Sequence, residues 1–416
     1  MEILIASLFI LLFLISFKNS NYFLLVFPIF IFCYPENSNF ISISGFGLDD
    51  VMIFIGFGRS VFVKDSSTLK YRWRVLHLSV LILFIFSNLT GYLVDDFVNF
   101  DLLLFVKSLI NNFYWYAITC IYIAFSSKVS LSVILKGIVF SVLIQAIIGI
   151  VVYYYFSEFS FFYSASDSLL EPTATLRAVG STRGPWELGG FLVIGFLLIF
   201  KLSIDDNRYI NKYILICSIF LIVIALILTF SRASWGFLLV GVLVILISHP
   251  IKTFKKLIFI FPILLLIGLP FLEELLSMID HRINYTFNGS SGGELDTSSQ
   301  ARIDIWKMFM DKYNFGYFLQ GYGWQNIKFI FGTTPHNGIL SLFLSSGLFG
   351  IYIFYRIFIF LIRYEINSNV IPFYPILIGY SFYMLTTDSF FTDSVVILLN
   401  ILYTSLLFYN PKMISR

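Results

Sequence analysis

Charge is scarce in this chain. Of its 416 residues only 12% are Asp, Glu, Lys or Arg, against about 25% in soluble domains. That shortage excludes a water-soluble globular enzyme and a disordered chain. The net charge of +3 is too small for nucleic-acid binding. Cysteine (3) and histidine (4) are also rare. Cys33, Cys120 and Cys217 fall inside apolar runs, so no disulfide framework is expected. No Cys/His cluster has zinc spacing, and neither GxSxG nor a Ser-His-Asp pattern occurs. What the chain does have is hydrophobicity: 58% apolar residues, 50 phenylalanines and a mean hydropathy of +0.88. Its main solvent is lipid.

A spanning helix needs about 20 apolar residues. Candidate spans lie near 2–17, 22–34, 46–63, 75–94, 100–124, 131–156, 188–203, 213–230, 232–248, 257–272, 338–362, 370–387 and 394–409. The first two are short and read as two tilted helices or as one helix and a re-entrant piece, so the count is about 12–13. The apolar runs are continuous, without barrel-type alternation. Unpaired backbone is not tolerated in lipid, so the expected fold is an all-α polytopic membrane protein, one integral membrane domain over 1–416. Lys and Arg concentrate in one alternating set of loops, as in Lys64, Lys70, Arg72, Lys252 and Arg363, and Asp and Glu in the other. The basic set is cytoplasmic by the positive-inside bias. This puts the C-terminus inside and two longer loops, 157–187 and 273–336, outside. No cleavable signal peptide is expected at the N-terminus.

Basic residues on the acidic outer face stand against that bias, and intramembrane charge is costly enough to be informative. Arg177 and Arg183 lie in RAVGSTRGPWELGGFL, which closes an outer loop and opens a span. Its glycines let backbone approach a ligand or a neighbouring helix closely, and Pro185 suits a first helical turn. Ser231 and Arg232 sit between two spans with almost no loop, Ser231 as a plausible N-cap. Arg302, Trp306, Phe309 and Tyr313 form one stripe of a short helix over 299–313, expected to lie flat on the bilayer. In TPHNG, Thr334 can N-cap, Pro335 suits the first helical position, and His336 then falls in the first turn of span 338–362. A helix N-terminus disfavours imidazolium, which suits His336 to accept a proton.

These four segments, in this order, resemble the O-antigen polymerase and O-antigen ligase superfamily. The matching elements are Arg177 with its Gly/Pro/Leu-Gly entrance, Ser231–Arg232, Arg302 with Trp306 followed by GYGW, and His336–Asn337 followed by Gly347 and Gly350. The resemblance implies a GT-C-like glycosyltransferase of a bacterial inner membrane, with short helices in the late periplasmic loop and its site facing the periplasm. It implies an undecaprenyl-pyrophosphate-linked oligosaccharide as donor and as acceptor, transfer without metal or other cofactor, and a chain-length regulator protein as partner. Arg232 and Arg302 would clamp the pyrophosphate and His336 would act on the acceptor hydroxyl. Arg177, Arg183, Ser231, Asn337 and Trp306 would line the pyrophosphate and glycan site. A second phosphate site at Arg177 and Arg183 favours a polymerase, while the His-Asn and Gly-x-x-Gly pattern keeps a ligase open. Two other classes stay open. A metal-dependent polyprenyl-phosphate-sugar transferase would use Asp49–Asp50. A lipid or glycan transporter would need buried charge, with Arg59 and Lys107 as candidates.

Overall fold

The computed structural model describes residues 2–34, 47–63, 67–94, 102–155, 177–182, 184–204, 210–268, 297–367, 373–387 and 394–409. No strand occurs among them. The helices are α1 (Glu2–Ser16), α2 (Ser20–Cys33), α3 (Leu48–Val61), α4 (Thr68–Val94), α5 (Leu102–Phe125), α6 (Leu131–Tyr154), α7 (Pro185–Ile204), α8 (Lys212–Thr229), α9 (Arg232–Ser248), α10 (Pro250–Gly268), α11 (Thr297–Lys312), α12 (Trp324–Phe331), α13 (Gly338–Asn367), α14 (Tyr374–Met384) and α15 (Ser394–Phe408). Each expected span coincides with one of them, and the two short N-terminal runs form two separate helices. This is an all-α polytopic membrane protein. Among the described residues, four helical stretches are long and apolar enough to cross a membrane unaided: Thr68–Leu89, Leu131–Tyr154, Pro185–Ile204 and Gly338–Arg363. The others are shorter or less apolar.

Apart from Glu187 and Lys201, α7 is apolar on every face, and it sits at the centre. It is buried along nearly its whole length and packs on α6, α8, α9, α14 and α15. Glycine lets its neighbours close in. A Cβ at Gly189 would lie 2.2 Å from Ser234 Oγ on α9, and one at Gly190 would lie 2.8 Å from the Tyr383 ring on α14. The glycines of the α7 entrance that the sequence offered to a ligand or a neighbour therefore serve the neighbour. α9 and α14 pack lengthwise, with Phe382 against Gly236 and Phe237 against Gly379. α1 is peripheral, with Leu8, Leu11 and Leu14 exposed, as expected of a surface facing lipid.

One expected span is broken. α13 carries a non-helical residue at Gly347, φ 62° and ψ −160°. A break at this depth frees backbone groups that lipid cannot satisfy, and residues 318–323 satisfy them. Tyr322 N–H donates to Leu344 O (2.7 Å) and Gly323 N–H to Ser345 O (2.9 Å). Leu348 N–H donates to Phe318 O (2.9 Å) and Phe349 N–H to Leu319 O (3.2 Å). The GYGW segment thus inserts beside α13, and Ser87 of α4 donates to Gln320 O at 2.6 Å. Gly321 (φ 72°) and Gly347 meet so closely that a Cβ on either would fall within 2.4 Å of the opposite backbone.

A small second core of Phe309, Tyr322, Ile327, Phe331 and Leu344 joins α11, α12 and α13. This corrects the reading of the aromatic stripe. Phe309 is buried on Phe331, and Tyr313 packs on Tyr322 and Phe343. The stripe faces protein because α12 and the inserted segment offer it an apolar partner. Cys33 and Cys120 are buried as expected, whereas Cys217 is exposed on α8.

Candidate functional site

Arg177 sits at the end of α8. Its half-buried guanidinium donates from Nε to Thr229 O and from Nη2 to Phe230 O, both at 2.9 Å. Ala178 N–H donates to Leu228 O at 2.8 Å. These carbonyls lack helical partners, and a cation there meets the negative end of the helix dipole. Arg177 is therefore a helix cap, whatever else it binds. Arg183 lies outside the described residues.

Phe230 then turns the chain in the left-handed region (φ 48°, ψ 32°), so that only two residues separate α8 from α9. Ser231 N-caps α9 as expected. Its Oγ accepts from Ser234 N–H at 3.4 Å and from Ser234 Oγ at 2.8 Å. Arg232 is the first residue of α9 and is exposed.

The entrance of α7 is tied to the same place. Pro185 occupies its first position, and Trp186 O accepts from Tyr383 Oη at 2.7 Å and Ser234 Oγ at 3.5 Å. Buried Glu187 accepts from Ser394 N–H at 2.6 Å, which joins the first turns of α7 and α15. Sequence reasoning missed Glu187 and Tyr383. The available signal was a lone carboxylate in the first turn of an apolar helix, where charge is costly without a partner.

Trp306 Nε1 donates to Pro335 O at 2.7 Å, which fastens α11 to the turn carrying His336. Arg302 lies one turn before Trp306. It is half-buried and makes no hydrogen bond or ion pair with the described residues. His336 itself corrects an expectation. It is not in the first turn of α13, and Thr334 does not cap that helix. Asn337 does: its Oδ1 accepts from Leu340 N–H at 3.0 Å and its carbonyl from Ser341 N–H at 2.8 Å. Asn is among the best N-caps, and it outcompetes a Thr three residues upstream. His336 is thus left outside the helix, exposed, with φ 51°. Asn337 Nδ2 also donates to Leu385 O at 3.1 Å, just beyond α14.

These links form a chain. Arg177 holds the α8 end, Ser231 and Ser234 join it to Trp186, and Trp186 joins it to Tyr383. Leu385, half a turn on, holds Asn337, and Pro335 holds Trp306. Arg177, Ser231, Arg232, Trp306, His336 and Asn337 therefore lie at one end of the bundle, with Arg302 a turn away. Exposed and half-buried arginines beside an exposed imidazole can bind a phosphate-type anion and exchange a proton. The other notable recess lies elsewhere. It is a small apolar recess between Trp73, His77, Trp115, Phe358 and Tyr403. Its nearest α13 residue, Phe354, is 17 positions beyond Asn337, past the break at Gly347.

Asp50 is already engaged. Its Oδ2 accepts from Gly47 N–H at 2.7 Å and its Oδ1 from Tyr114 Oη. Its carboxylate caps α3 and locks α3 to α5.

Residues 217–355 match the family model described as O-Antigen ligase. Over that third of the chain the sequence is similar to the O-antigen ligase and polymerase superfamily, which supports the resemblance. Its members are glycosyltransferase-like enzymes of O-antigen pathways. The matched segment runs from α8 into α13 and holds Ser231, Arg232, Arg302, Trp306, His336, Asn337, Gly347 and Gly350. Arg177 and the α7 entrance lie before it. No curated protein matches the chain.

Proposed function

We propose that this membrane protein is a metal-independent glycosyltransferase. It would extend one polyprenyl-pyrophosphate-linked oligosaccharide with another at the outer face of a bacterial inner membrane, building O-antigen or capsular polysaccharide. The observation that supports this most is the meeting of Arg232, the Arg302 helix and the His336–Asn337 turn at one end of the bundle. In the reaction, the bond from the sugar anomeric carbon to pyrophosphate breaks as an acceptor hydroxyl bonds to that carbon. His336 takes the hydroxyl proton, and polyprenyl pyrophosphate leaves with the bonding electrons. Arg232 and Arg302 stabilise the negative charge that grows on it, and preorganised donors of this kind are usually the largest catalytic contribution. Trp306 and Asn337 hold the two sides of the site in register.

The ligase reading, with lipid A–core as acceptor, is favoured by the description of the matching family and by the use of Arg177 as a helix cap. The polymerase reading rests on the basic α7 entrance, with Arg183 as its second outer arginine. Deleting the gene separates them. Loss of a polymerase leaves single repeat units on lipid A–core, and loss of a ligase leaves polymer unattached on its lipid carrier. The shared reaction is tested with the purified chain and lipid-linked repeat units in vesicles with EDTA present. Glycan transfer is expected with wild type and not with His336→Ala, and equal transfer by both would overturn the site.

A further inference from the structure

Trp186 has no part in the chemistry above, yet its indole stands at the site. We propose that Trp186 is the stacking platform for a sugar ring of the lipid-linked glycan, a role that rests on the glycosyltransfer reading. It is 43% exposed, an unusual exposure at the head of a helix that is otherwise almost wholly buried. Its backbone is fixed. The carbonyl accepts from Tyr383 Oη at 2.7 Å and Ser234 Oγ at 3.5 Å, and Ser234 in turn bonds Ser231, the neighbour of Arg232.

The ring is seated as well. It lies on Gly184, where a Cβ would come within 2.5–2.8 Å of three ring carbons. A side chain on a helix leans toward the N-terminus, and here that end is the site end. The indole therefore folds back over the entrance loop, not along the span. A tryptophan that only anchors a helix at the membrane surface extends toward headgroups with its N–H in water. A seated and exposed ring, tied through Ser234 and Ser231 to the start of α9 where Arg232 would hold the pyrophosphate, does what sugar recognition requires. The electron-rich face of an indole attracts the polarised C–H groups on one face of a pyranose. With the pyrophosphate at Arg232, the ring within reach of Trp186 is the one bonded to that pyrophosphate.

The test uses the full chain in lipid nanodiscs and two probes, a polyprenyl pyrophosphate bearing one repeat unit and the same lipid without sugar. Trp186→Leu keeps an apolar anchor but removes the π face, whereas Trp186→Phe keeps a ring. Leu is expected to weaken the sugar-bearing lipid by about threefold to tenfold and leave the sugar-free lipid unchanged, with Phe close to wild type. Equal loss on both probes, or no loss, overturns the platform. If the Leu variant does not fold, oxidative footprinting of the wild type replaces it. Trp186 should be protected by the sugar-bearing lipid alone, and protection by both or by neither overturns the proposal. Wild type that binds sugar-selectively but transfers no glycan would sink the glycosyltransfer reading and leave the platform standing.

Discussion

The arginines of this chain carry the same charge and do different work. Arg177 satisfies two carbonyls at the end of α8, whereas Arg302 has no hydrogen-bonded partner among the described residues. Truncating Arg177 leaves buried acceptors unmet, which costs about 1–3 kcal/mol each. Arg177→Ala should therefore lower the melting temperature, and a thermal scan in detergent reads it. Arg302→Ala should leave the melting temperature within a degree or two and reduce glycan transfer about 100-fold, the usual effect of losing one transition-state donor. If Arg302→Ala instead destabilises the protein as much as Arg177→Ala, Arg302 is a structural residue. Sequence could find both arginines because charge is scarce here, but it could not tell them apart. That distinction lies in carbonyls some fifty positions away. His336 was legible as a residue and misplaced as a conformation, because Thr334 and Asn337 can both cap the helix, and the bond from Asn337 to the Leu385 carbonyl, which sequence does not show, holds the second in place.

At the scale of elements, the inserted GYGW segment and the broken helix α13 depend on each other. The break at Gly347 would strand carbonyls and amides in an apolar setting, and the four backbone bonds from 318–323 remove that cost. Gly347→Ala is strained by φ 62° and by a Cβ 2.3 Å from Leu319. It should release the segment, and rapid hydrogen exchange at Tyr322 and Gly323 is the expected readout. Gly332→Ala is the control: it shares a positive φ of 81° but has open space around it. It should cost only backbone strain, about 1 kcal/mol, and leave those amides protected. The same assembly should be sensitive to alkali. Burial pushes the Tyr313 phenol up to about 12, and Tyr317 rises too, again through burial. A phenol raised in the folded state stabilises fully below its ordinary value near 10. That stability is lost as pH climbs through the folded value. Fluorescence of the α11–α13 region should therefore report loosening between about pH 10 and 12 and none at neutral pH. A continuous apolar run announces a helix, but nothing in its hydropathy marks one glycine as a break. Only the partner segment does.

For the whole molecule, apolar runs located every described helix except α11 and α12, because lipid leaves the backbone no alternative to helix. They did not locate the site, whose parts are joined by hydrogen bonds to carbonyls on other helices. Sidedness was read from charge and needs its own experiment. α6 runs from Leu131 to Tyr154, and its Gly149 lies against Gly180 beside the site. The start of α6 at Leu131, three residues after Lys128, is then about 27 Å away along the helix. Lys312 ends α11, which Trp306 ties to the site end. Both lysines are exposed. With the three native cysteines replaced, Lys312→Cys should react with a membrane-impermeant maleimide on spheroplasts. Lys128→Cys should react only after the membrane is opened. The reverse pattern would put the arginines and His336 in the cytoplasm. Glycan assembled beyond the membrane could not then reach them, and the proposed reaction would fail with its geometry intact.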